Sequence, residues 1–474
     1  MVRPGISLDG KWDIIVDPYE NGFYNYRYQE STTGYFRNAK PATPEDLIEY
    51  DFARSPKLNI PGDWNTQDDK LFWYEGTIWY HRDIELSVDS QYKYVLYFGA
   101  VNYKAIAYVN GKKVGTHEGG FTPFQFDISG LIKDGTNSIV IKVDNRRERD
   151  QVPTVNTDWW NYGGVTRSVR ILTLLKNHID DYQVRLADNK NNEIAGYVHV
   201  VHDGDDTAQQ VSLRIPALNI NKKLQVGKDG VARFSTAAKP SLWSPEHPNL
   251  YAVELEYGED KFHDDIGFRN IEVRGEDILL NGKSIFFKGI SIHEESPLHP
   301  GRAWSDEDAE QLLSWAKDLG CNFVRLAHYP HNEAMLRAAD RMGLMVWSEI
   351  PVYWTVLFDN ATVYDKAELQ LREMIARDKN RASVMLWSVA NETPKSTERL
   401  EFLTKLIKTA RSLDNSRLIT AALDTQSDDH GAKVIDDPLA SQVDVIGINT
   451  YCGWYAGKPD TCASLKWISR YHKP

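Results

Sequence analysis

One stretch of the chain decides the fold, and it reads Asp378-Lys379-Asn380-Arg381-Ala382-Ser383-Val384-Met385-Leu386-Trp387-Ser388-Val389-Ala390-Asn391-Glu392. Its apolar run at residues 384–386 predicts a short buried strand, because the run follows a charged helix end and precedes the breaker Thr393-Pro394. The polar pair Asn391-Glu392 stands where that strand would emerge. If the strand belongs to a β/α barrel, its carboxyl end lies on the active face and Glu392 is placed for chemistry. From these residues alone, a glutamate in a solvent-exposed loop is an equally good interpretation.

Segments with strand and helix patterns alternate around this stretch. The box Ser305-Asp306-Glu307-Asp308 opens a helix whose apolar side chains recur at helical spacing. We predict strands at residues 284–290, 322–326, 344–348, 384–388, 418–422 and 443–448, separated by helices at residues 305–319, 332–341, 366–377 and 397–412. Such alternation predicts a TIM barrel. Six strands can be counted where a TIM barrel needs eight, so we expect a (β/α)8 barrel that is truncated after strand six.

Two β-rich regions precede the predicted barrel. Residues 1–176 hold short alternating runs between turn signals, Asn110-Gly111 predicts a tight hairpin, and the region as a whole predicts a jelly-roll β-sandwich. Residues 177–273 have the strand spacing of an immunoglobulin-like β-sandwich, which we expect to dock the first domain onto the barrel. The predicted domains are therefore residues 1–176, 177–273 and 274–474, the last incomplete at its carboxyl end.

Composition limits the class of protein and its partners. The 474 residues are too many for a single core, and 42% apolar with 26% charged residues is typical of a soluble globular protein. A net charge of -12 argues against nucleic acid or a membrane as a partner, although it allows an anionic small substrate. Three cysteines predict no disulfide framework. The chain begins with no signal peptide, so we expect a cytoplasmic protein, or a periplasmic one if a signal was removed.

Polar side chains follow five of the six predicted barrel strands. They are His293-Glu294-Glu295, Arg325 with His328, Glu349, Asn391-Glu392, and Asn449-Thr450-Tyr451. Any one of them alone is explained as an ordinary loop residue, but strand ends of a barrel converge on one face, so we predict a shared site. The histidines and acids in this set include plausible metal ligands. No His-x-x-x-His helix or cysteine pair supports a zinc site, however, so we expect no metal and no other cofactor.

Several motifs resemble the family 2 glycoside hydrolases, which include β-glucuronidases and β-galactosidases. Residues 378–392 resemble the family's acid/base signature. Residues 322–330, with Asp340 and Gly343, resemble its other signature, from which Leu326 departs. Further resembling motifs are Asp9-Gly10-Lys11-Trp12, residues 60–64 and residues 76–80 in the first domain, and residues 240–245 and 248–251 in the second.

The resemblance implies a retaining exo-β-glycosidase, in which two carboxyl groups share the work of hydrolysis. It makes Glu392 the general acid and later the base, with Asn391 donating a hydrogen bond to the sugar 2-hydroxyl. Arg325 and Tyr451 would hold the nucleophile carboxylate ionised and oriented. The substrate-binding residues that the resemblance implies are Asp158, His293, His328 and Tyr455.

The nucleophile is the part of the predicted site that these residues leave open. From the residues alone, Glu349 is the best second carboxylate, because it ends the third predicted strand. In the family the nucleophile is a glutamate at the end of strand seven, and residues 467–474 resemble the segment leading into that strand. We therefore interpret Glu349 as a supporting acid behind the site and expect the nucleophile beyond Pro474. On this interpretation the chain alone shows little or no turnover, and its open barrel edge favours aggregation.

The resemblance favours glucuronides as substrates, because residues 158–164 and 449–455 look like segments of β-glucuronidases. A β-galactosidase or a β-galacturonidase of the same family is the alternative specificity. A non-catalytic carbohydrate-binding protein is the alternative from another class. The expected partners are β-glycosides, either small molecules or oligosaccharides, and family members commonly form homo-oligomers.

Overall fold

The computed structural model describes residues 3–25, 27–30, 51–188, 190–202, 210–429, 431–455 and 457–474. Within these ranges the chain forms two pairs of antiparallel sheets, followed by a parallel sheet flanked by helices. A search of the same ranges finds no helix with the length and apolar character needed to cross a membrane.

The first region is a sandwich of two antiparallel sheets. Its strands are β1 (Gly5–Ser7), β2 (Gly10–Val16), β3 (Lys57–Ile60), β4 (Thr77–Leu86), β5 (Tyr92–Phe98), β6 (Lys104–Val109), β7 (Lys112–Glu118), β8 (Phe124–Asp127), β9 (Gly135–Asp144) and β10 (Val169–Leu175). They form sheets of order β1-β10-β5-β8 and β3-β2-β4-β9-β6-β7, whose inward side chains share one core. The predicted hairpin is confirmed, since Asn110 and Gly111 take the φ angles of 50° and 79° that a type I′ turn requires.

The second region is also a two-sheet sandwich. Its strands are β11 (His178–Leu186), β12 (Glu193–Val201), β13 (Gln210–Ile215), β14 (Ile220–Gln225), β15 (Val231–Ala237), β16 (Tyr251–Tyr257) and β17 (Asp260–Ile266). They form sheets of order β11-β12-β15 and β14-β13-β16-β17. Valine, leucine and isoleucine side chains from both sheets meet in a second, separate core.

The third region alternates strands and helices. Its elements are β18 (Ile271–Arg274), β19 (Asp277–Leu280), β20 (Lys283–Ser284), β21 (Gly289–Ile292), α1 (Asp306–Asp318), β22 (Phe323–Leu326), α2 (Glu333–Met342), β23 (Met345–Glu349), α3 (Ala361–Asp378), β24 (Val384–Asn391), α4 (Thr397–Leu413), β25 (Leu418–Leu423), β26 (Gln426–Ser427), β27 (Lys433–Ile435), β28 (Val445–Ile448) and β29 (Trp467–Ser469). Six of these strands form a parallel sheet of order β21-β22-β23-β24-β25-β28. This sheet matches the six predicted barrel strands in number and sequence order.

Local capping explains where the helices begin. The predicted box at the start of α1 is confirmed, because the Ser305 hydroxyl accepts from the Asp308 backbone while the Asp308 carboxylate accepts from the Ser305 backbone. Helix α3 starts five residues before the predicted position 366, because Asn360 caps its first turn. The first barrel strand was predicted too early, since residues 283–284 pair instead in a small antiparallel sheet with β19.

The stretch at residues 378–391 ties the second sandwich to the barrel strand β24. Asn380 accepts from the Val184 amide at 3.0 Å and donates to the Tyr182 carbonyl at 2.9 Å. Arg381, buried beside it, forms an ion pair with Asp264 of the second sandwich. All eight residues of β24 are buried, so this strand is fixed along its whole length before it reaches Asn391.

The first sandwich contacts the barrel directly as well as the second sandwich. Glu294, at the end of β21, pairs with Arg167 of the first sandwich at 3.0 Å and with Arg302 at 3.2 Å. All three side chains are buried. On α3, Glu373 accepts hydrogen bonds from His117 and Thr122. These contacts hold the first sandwich against the barrel.

Candidate active site

Two backbone contacts fix Glu392 at the carboxyl end of β24. The strand runs to Asn391, three residues past its predicted end, and the Asn391 amide donates to the Val352 carbonyl at 2.9 Å. Glu392 then turns out of the strand with a φ of 47°, and its amide donates to the Ala422 carbonyl at 2.8 Å. A left-handed backbone at a non-glycine residue is held only where its surroundings enforce it. The backbone at Asn391 and Glu392 is therefore held on both sides, by the segment that follows β23 and by β25.

The Glu392 carboxylate accepts hydrogen bonds from three side chains. Tyr451 donates its hydroxyl to Oε1 at 2.5 Å, Trp354 donates its indole N–H to Oε2 at 3.2 Å, and Asn391 donates its amide to Oε2 at 3.4 Å. Burial opposes ionisation of this carboxyl, but the hydrogen bonds from Tyr451, Asn449 and Trp354 outweigh it and hold the pKa of Glu392 below its ordinary value. In the free site Glu392 is therefore an oriented carboxylate.

A second carboxylate, Glu349 at the end of β23, has both of its oxygens bonded to neighbouring side chains. Arg325 donates to both of its oxygens at 3.1 and 3.0 Å, His328 lies 2.7 Å from Oε1, and Trp347 donates its indole N–H to Oε2 at 2.9 Å. Although burial favours the neutral acid, Arg325 and His328 lower the pKa of Glu349 to about 2. Glu349 is a buried anion that holds its neighbours in place.

The Asn391 side chain connects these two carboxylates. Its Oδ1 accepts from Arg325 at 2.6 Å and from Asn449 at 3.0 Å. Because two donors occupy this oxygen, the amide nitrogen is the end that turns towards Glu392. Arg325 also donates to Asn449 Oδ1 at 2.8 Å, which closes the network. The orientation of Asn391 is thus set by side chains from β22 and from the segment after β28.

A loop of the first sandwich covers this network. Asp158 lines a cavity of about 470 Å³ together with Arg325, His328 and Tyr451. The next residue, Trp159, has its ring centroid 5.9 Å from that of His328. The cavity is therefore bounded by residues from both the sandwich and the barrel.

Burial changes the ionisation of two further groups around this cavity. Burial, together with the nearby His328, lowers the pKa of His293 to about 4, so His293 is neutral at pH 7. Burial and the nearby Asp158 carboxylate raise the pKa of Tyr353, so its hydroxyl keeps its proton. Both groups can therefore serve as neutral hydrogen-bonding partners.

The structure brings most of the sequence-predicted residues together. Those that contact one another, or share the cavity, are Asp158, His293, Arg325, His328, Glu349, Asn391, Glu392 and Tyr451. Tyr455 lies further out, with 77% of its surface exposed and its ring 5.3 Å from that of Tyr451. Tyr451 was expected to hold a nucleophile carboxylate, and here its hydroxyl is bonded to Glu392 instead. Arg325 likewise holds Glu349.

Sequence reasoning missed several side chains that complete the site, namely Trp159, Trp347, Tyr353 and Trp354. Trp354 lies six residues after the predicted end of the third strand at residue 348, further than any residue that the strand-end argument selected. Trp159 carries no strand-end signal, because it comes from a different region of the chain.

The cysteine prediction is corrected by the structure. Cys452 and Cys462 form a disulfide across ten residues, with their Cα atoms 5.5 Å apart, while Cys321 is free and buried. A total of three cysteines argues against a framework of several bridges, but it does not argue against one local bridge. The disulfide lies in the segment that carries Tyr451 and Tyr455.

In the part of the chain that the structure describes, no three histidine, cysteine, aspartate or glutamate side chains are grouped so that they could hold a metal ion. The histidines of the site have other contacts. His328 is bonded to Glu349, and His293 lies 3.3 Å from the Tyr329 hydroxyl. The site offers carboxylates, hydrogen-bond donors and aromatic faces.

Known proteins share the whole architecture. Residues 271–474 match the TIM barrel domain of glycosyl hydrolases family 2, residues 7–175 match its sugar binding domain, and residues 177–269 match a third segment of the same family. A β-glucuronidase of Streptococcus agalactiae is 31% identical over 82% of this chain and 70% of its own length. The chain belongs to glycosyl hydrolases family 2.

Other proteins similar to this chain are also named as β-glucuronidases. A putative β-glucuronidase of Formosa agariphila is 29% identical over 93% of the chain, which spans 55% of that protein's length. The crystal structure of Ruminococcus gnavus β-glucuronidase superposes with a TM-score of 0.80 at 26% identity, and covers 96% of this chain and 78% of that one. A structure of the Ruminococcus gnavus enzyme in complex with D-glucuronic acid has a TM-score of 0.78.

The Tyr451 contact leads to a testable prediction about Glu392 of this family 2 chain. Replacing Tyr451 with Phe removes a donor to the ionised carboxylate, so we expect the pKa of Glu392 to rise. Carbon NMR of glutamate side chains over a pH series would measure this shift without requiring activity. Tyr455→Phe is the matched control for the pKa of Glu392. The Tyr455 ring lies beside that of Tyr451 and is largely exposed. An unchanged Glu392 titration in Tyr451→Phe would contradict the prediction.

Proposed function

We propose that this chain carries the acid/base side of a retaining exo-β-glycosidase that removes terminal β-D-glucuronides by double displacement. The observation that carries the proposal is the setting of Glu392, which stands at the end of a fully buried barrel strand with Asn391, Trp354 and Tyr451 bonded to its carboxylate. A carboxyl group at the carboxyl end of a barrel strand is where enzymes of this fold place their catalytic groups.

Glu392 acts as acid in the first step and as base in the second. It gives a proton to the oxygen of the departing group while the glycosidic bond breaks, and later takes a proton from the water that releases the sugar. The first step needs the protonated acid, whereas the free site favours the carboxylate. Substrate binding therefore has to raise the pKa of Glu392, and this occurs when the Tyr451 hydroxyl turns from Glu392 to a second carboxylate.

Asn391 and Arg325 supply positioning for the same reaction. The Asn391 amide nitrogen is turned to the side of Glu392, so it donates to the sugar hydroxyl next to the reacting carbon. Arg325 sets that orientation from behind, with Glu349 as its buried counter-ion. We do not assign the nucleophile to Glu349, because Arg325, His328 and Trp347 already bond its oxygens. By resemblance to the family, we expect the nucleophile to be a glutamate at the end of strand seven.

Specificity for a glucuronide is supported by the relatives, several of which are named β-glucuronidases, and by the sugar acid bound in one of the similar structures. Asp158, His293, His328 and Tyr455 are proposed to line the sugar. The same proposal includes three domains. They are a jelly roll at residues 1–176, an immunoglobulin-like sandwich at residues 177–273 and a (β/α)8 barrel at residues 274–474. The sheet orders of the two sandwiches and of the parallel sheet support them. Homo-oligomer formation and the cellular compartment stay predictions.

Substrate specificity and stereochemistry test the proposal together. The protein made from the complete reading frame that encodes these residues is expected to hydrolyse p-nitrophenyl β-D-glucuronide with higher kcat/KM than the β-galactoside or β-galacturonide. Proton NMR of the first sugar released is expected to show the β-anomer, because two displacements restore the configuration. The α-anomer as first product would contradict the retaining mechanism. A preferred galactoside would favour the alternative specificity, and sugar binding without turnover would favour a carbohydrate-binding protein.

A further inference from the structure

Three aromatic side chains of the first sandwich form an exposed cluster, which we call the aromatic shelf: Phe72, Trp73 and Trp160. The Trp73 ring lies 5.0 Å from the ring of Phe72 and 5.0 Å from that of Trp160, and the rings of Phe72 and Trp160 are 4.9 Å apart. Trp73 is 79% exposed and Phe72 is 41% exposed. Side chains of this size are normally buried, so a group of them at the surface marks a binding site more often than a single exposed one does.

A small cavity adjoins the shelf. Its volume is about 190 Å³, and it is lined by the shelf together with Asn65, Glu75, Arg147, Trp159 and Asn161. Sites for drug-sized ligands occupy roughly 300–1,000 Å³, so this cavity fits one ring and not a larger molecule. Its floor is aromatic and its rim is polar.

The polar rim is an ion pair at the surface. Arg147 lies 2.8 Å from Glu75, and the two side chains are 40% and 31% exposed. An exposed pair of this kind contributes little to stability, about 0–1 kcal/mol. It does offer carboxylate acceptors and guanidinium donors beside an aromatic surface. This arrangement suits a pyranose ring, which presents C–H groups on its faces and hydroxyls around its edge.

Trp159 stands between the shelf and the site of Glu392, because it lines the cavity beside the shelf and its ring lies 5.9 Å from that of His328. Trp354, which donates to Glu392, has its ring 4.5 Å from that of Tyr353. The Tyr353 ring lies 5.0 Å from that of Trp159, which lines the cavity beside the shelf. Tyr353 itself is buried, so Trp159 is the ring of this group that lines the cavity beside the shelf. In an exo-acting enzyme the terminal sugar occupies the site, so a further ring of the substrate belongs to the leaving group.

We propose that the aromatic shelf is a subsite for a neutral pyranose ring of the leaving group, so that the natural substrates are oligosaccharides and not only small aryl glycosides. The assignment to the leaving-group side rests on the proposed function of Glu392. Sugar binding by the shelf does not rest on it. Trp73 and Trp160 stack against the ring, and the ion pair of Glu75 and Arg147 binds its hydroxyls.

Cellotriose is a suitable probe for this subsite, because it is neutral and its β-linked glucose rings have flat C–H faces. Isothermal titration calorimetry on the chain is expected to show saturable binding. Trp73→Ala and Trp160→Ala are each expected to weaken it about tenfold, the loss of one stacking contact. Trp315→Ala is the matched control, because Trp315 is 49% exposed on helix α1 of the barrel. Glu392→Gln is expected to bind cellotriose as the unaltered chain does, which separates this test from the question of catalysis.

Two results would overturn the subsite. One is the absence of cellotriose binding by the unaltered chain up to the solubility of the sugar. The other is binding that survives unchanged in both Trp73→Ala and Trp160→Ala. Thermal unfolding of Trp73→Ala is expected to match that of the unaltered chain, because Trp73 is 79% exposed, and this shows that lost binding is not lost folding.

A kinetic comparison then tests the side of the bond on which the shelf acts. With a glucuronide of cellobiose as substrate, Trp73→Ala is expected to raise KM about tenfold. With p-nitrophenyl β-D-glucuronide, whose leaving group is one small ring at the reacting bond, KM is expected to stay the same. Equal effects on both substrates would overturn the leaving-group assignment, even where cellotriose binding depends on Trp73.

Discussion

Replacing Glu392 with Gln is expected to lower kcat/KM for an alkyl β-glucuronide by about 10²–10⁴-fold, the usual contribution of a positioned acid or base. Gln keeps the size of the side chain, and its one carbonyl oxygen can still accept from Tyr451, although the bond from Trp354 to the second oxygen is lost together with the transferable proton. The measurement is steady-state kinetics on the protein from the complete reading frame. Glu401→Gln, an exposed glutamate on helix α4, is the matched control and is expected to leave the rate unchanged.

The dependence on the leaving group shows whether Glu392 acts as the acid. An acidic phenol departs without help from a proton, whereas an alcohol does not. In Glu392→Gln, the rate of the first step should therefore fall much less for a dinitrophenyl glucuronide than for a methyl glucuronide. Equal losses for both substrates would mean that Glu392 supports the site only by position, and the acid/base assignment would fail.

Replacing Glu349 with Gln is expected to destabilise the fold by about 3–5 kcal/mol, because removing one member of a buried ion pair leaves the other charge uncompensated. Glu349 is 1% exposed, and its partner Arg325 is nearly buried as well. The free Arg325 would also lose its orientation towards Asn391, so a fall in activity should accompany the fall in stability. The midpoint of urea unfolding measures the first effect.

The pH dependence of this loss follows from the pKa of Glu349, which is about 2 in the fold and 4.5 in its ordinary state. A depressed pKa contributes stability that is present in full above about pH 4.5 and is lost as the pH falls towards 2. The corresponding free energy is about 3 kcal/mol, in line with the value expected for the broken pair. The gap in stability between the native chain and Glu349→Gln should therefore be constant near pH 7 and should shrink below pH 4.5.

Glu368→Gln on helix α3 is the matched control for this effect. Glu368 accepts from Arg372 and Thr409 near the surface, where an ion pair is worth about 0–1 kcal/mol. A loss in Glu349→Gln no larger than that in Glu368→Gln would show that the buried network around Arg325 contributes little to stability. A gap that persists unchanged at pH 3 would contradict the assignment of Glu349 as the titrating group.

Much of this architecture could be predicted from local sequence patterns. The alternation of strands and helices after residue 288, the capping box at Ser305 and the hairpin at Asn110-Gly111 all depend on residues close together in the chain. The position of Glu392 was predictable for the same reason, because a strand of known direction carries its last residues to a known edge of the sheet. The boundary errors at α3 and at the first barrel strand came from a cap and a strand pairing that the pattern did not reveal.

Only the tertiary structure decided which side chains meet. Trp159 belongs to the first sandwich but lies beside His328 of the barrel, and Arg167 pairs with Glu294, which is 127 residues away in the sequence. Tyr451 bonds Glu392, where the sequence had suggested another carboxylate. These pairings depend on how whole regions pack against each other, and no local pattern of residues encodes that packing. The sequence by itself determined the elements and the face on which the site lies, whereas long-range packing determined the partners of each charge and the aromatic side chains around Glu392.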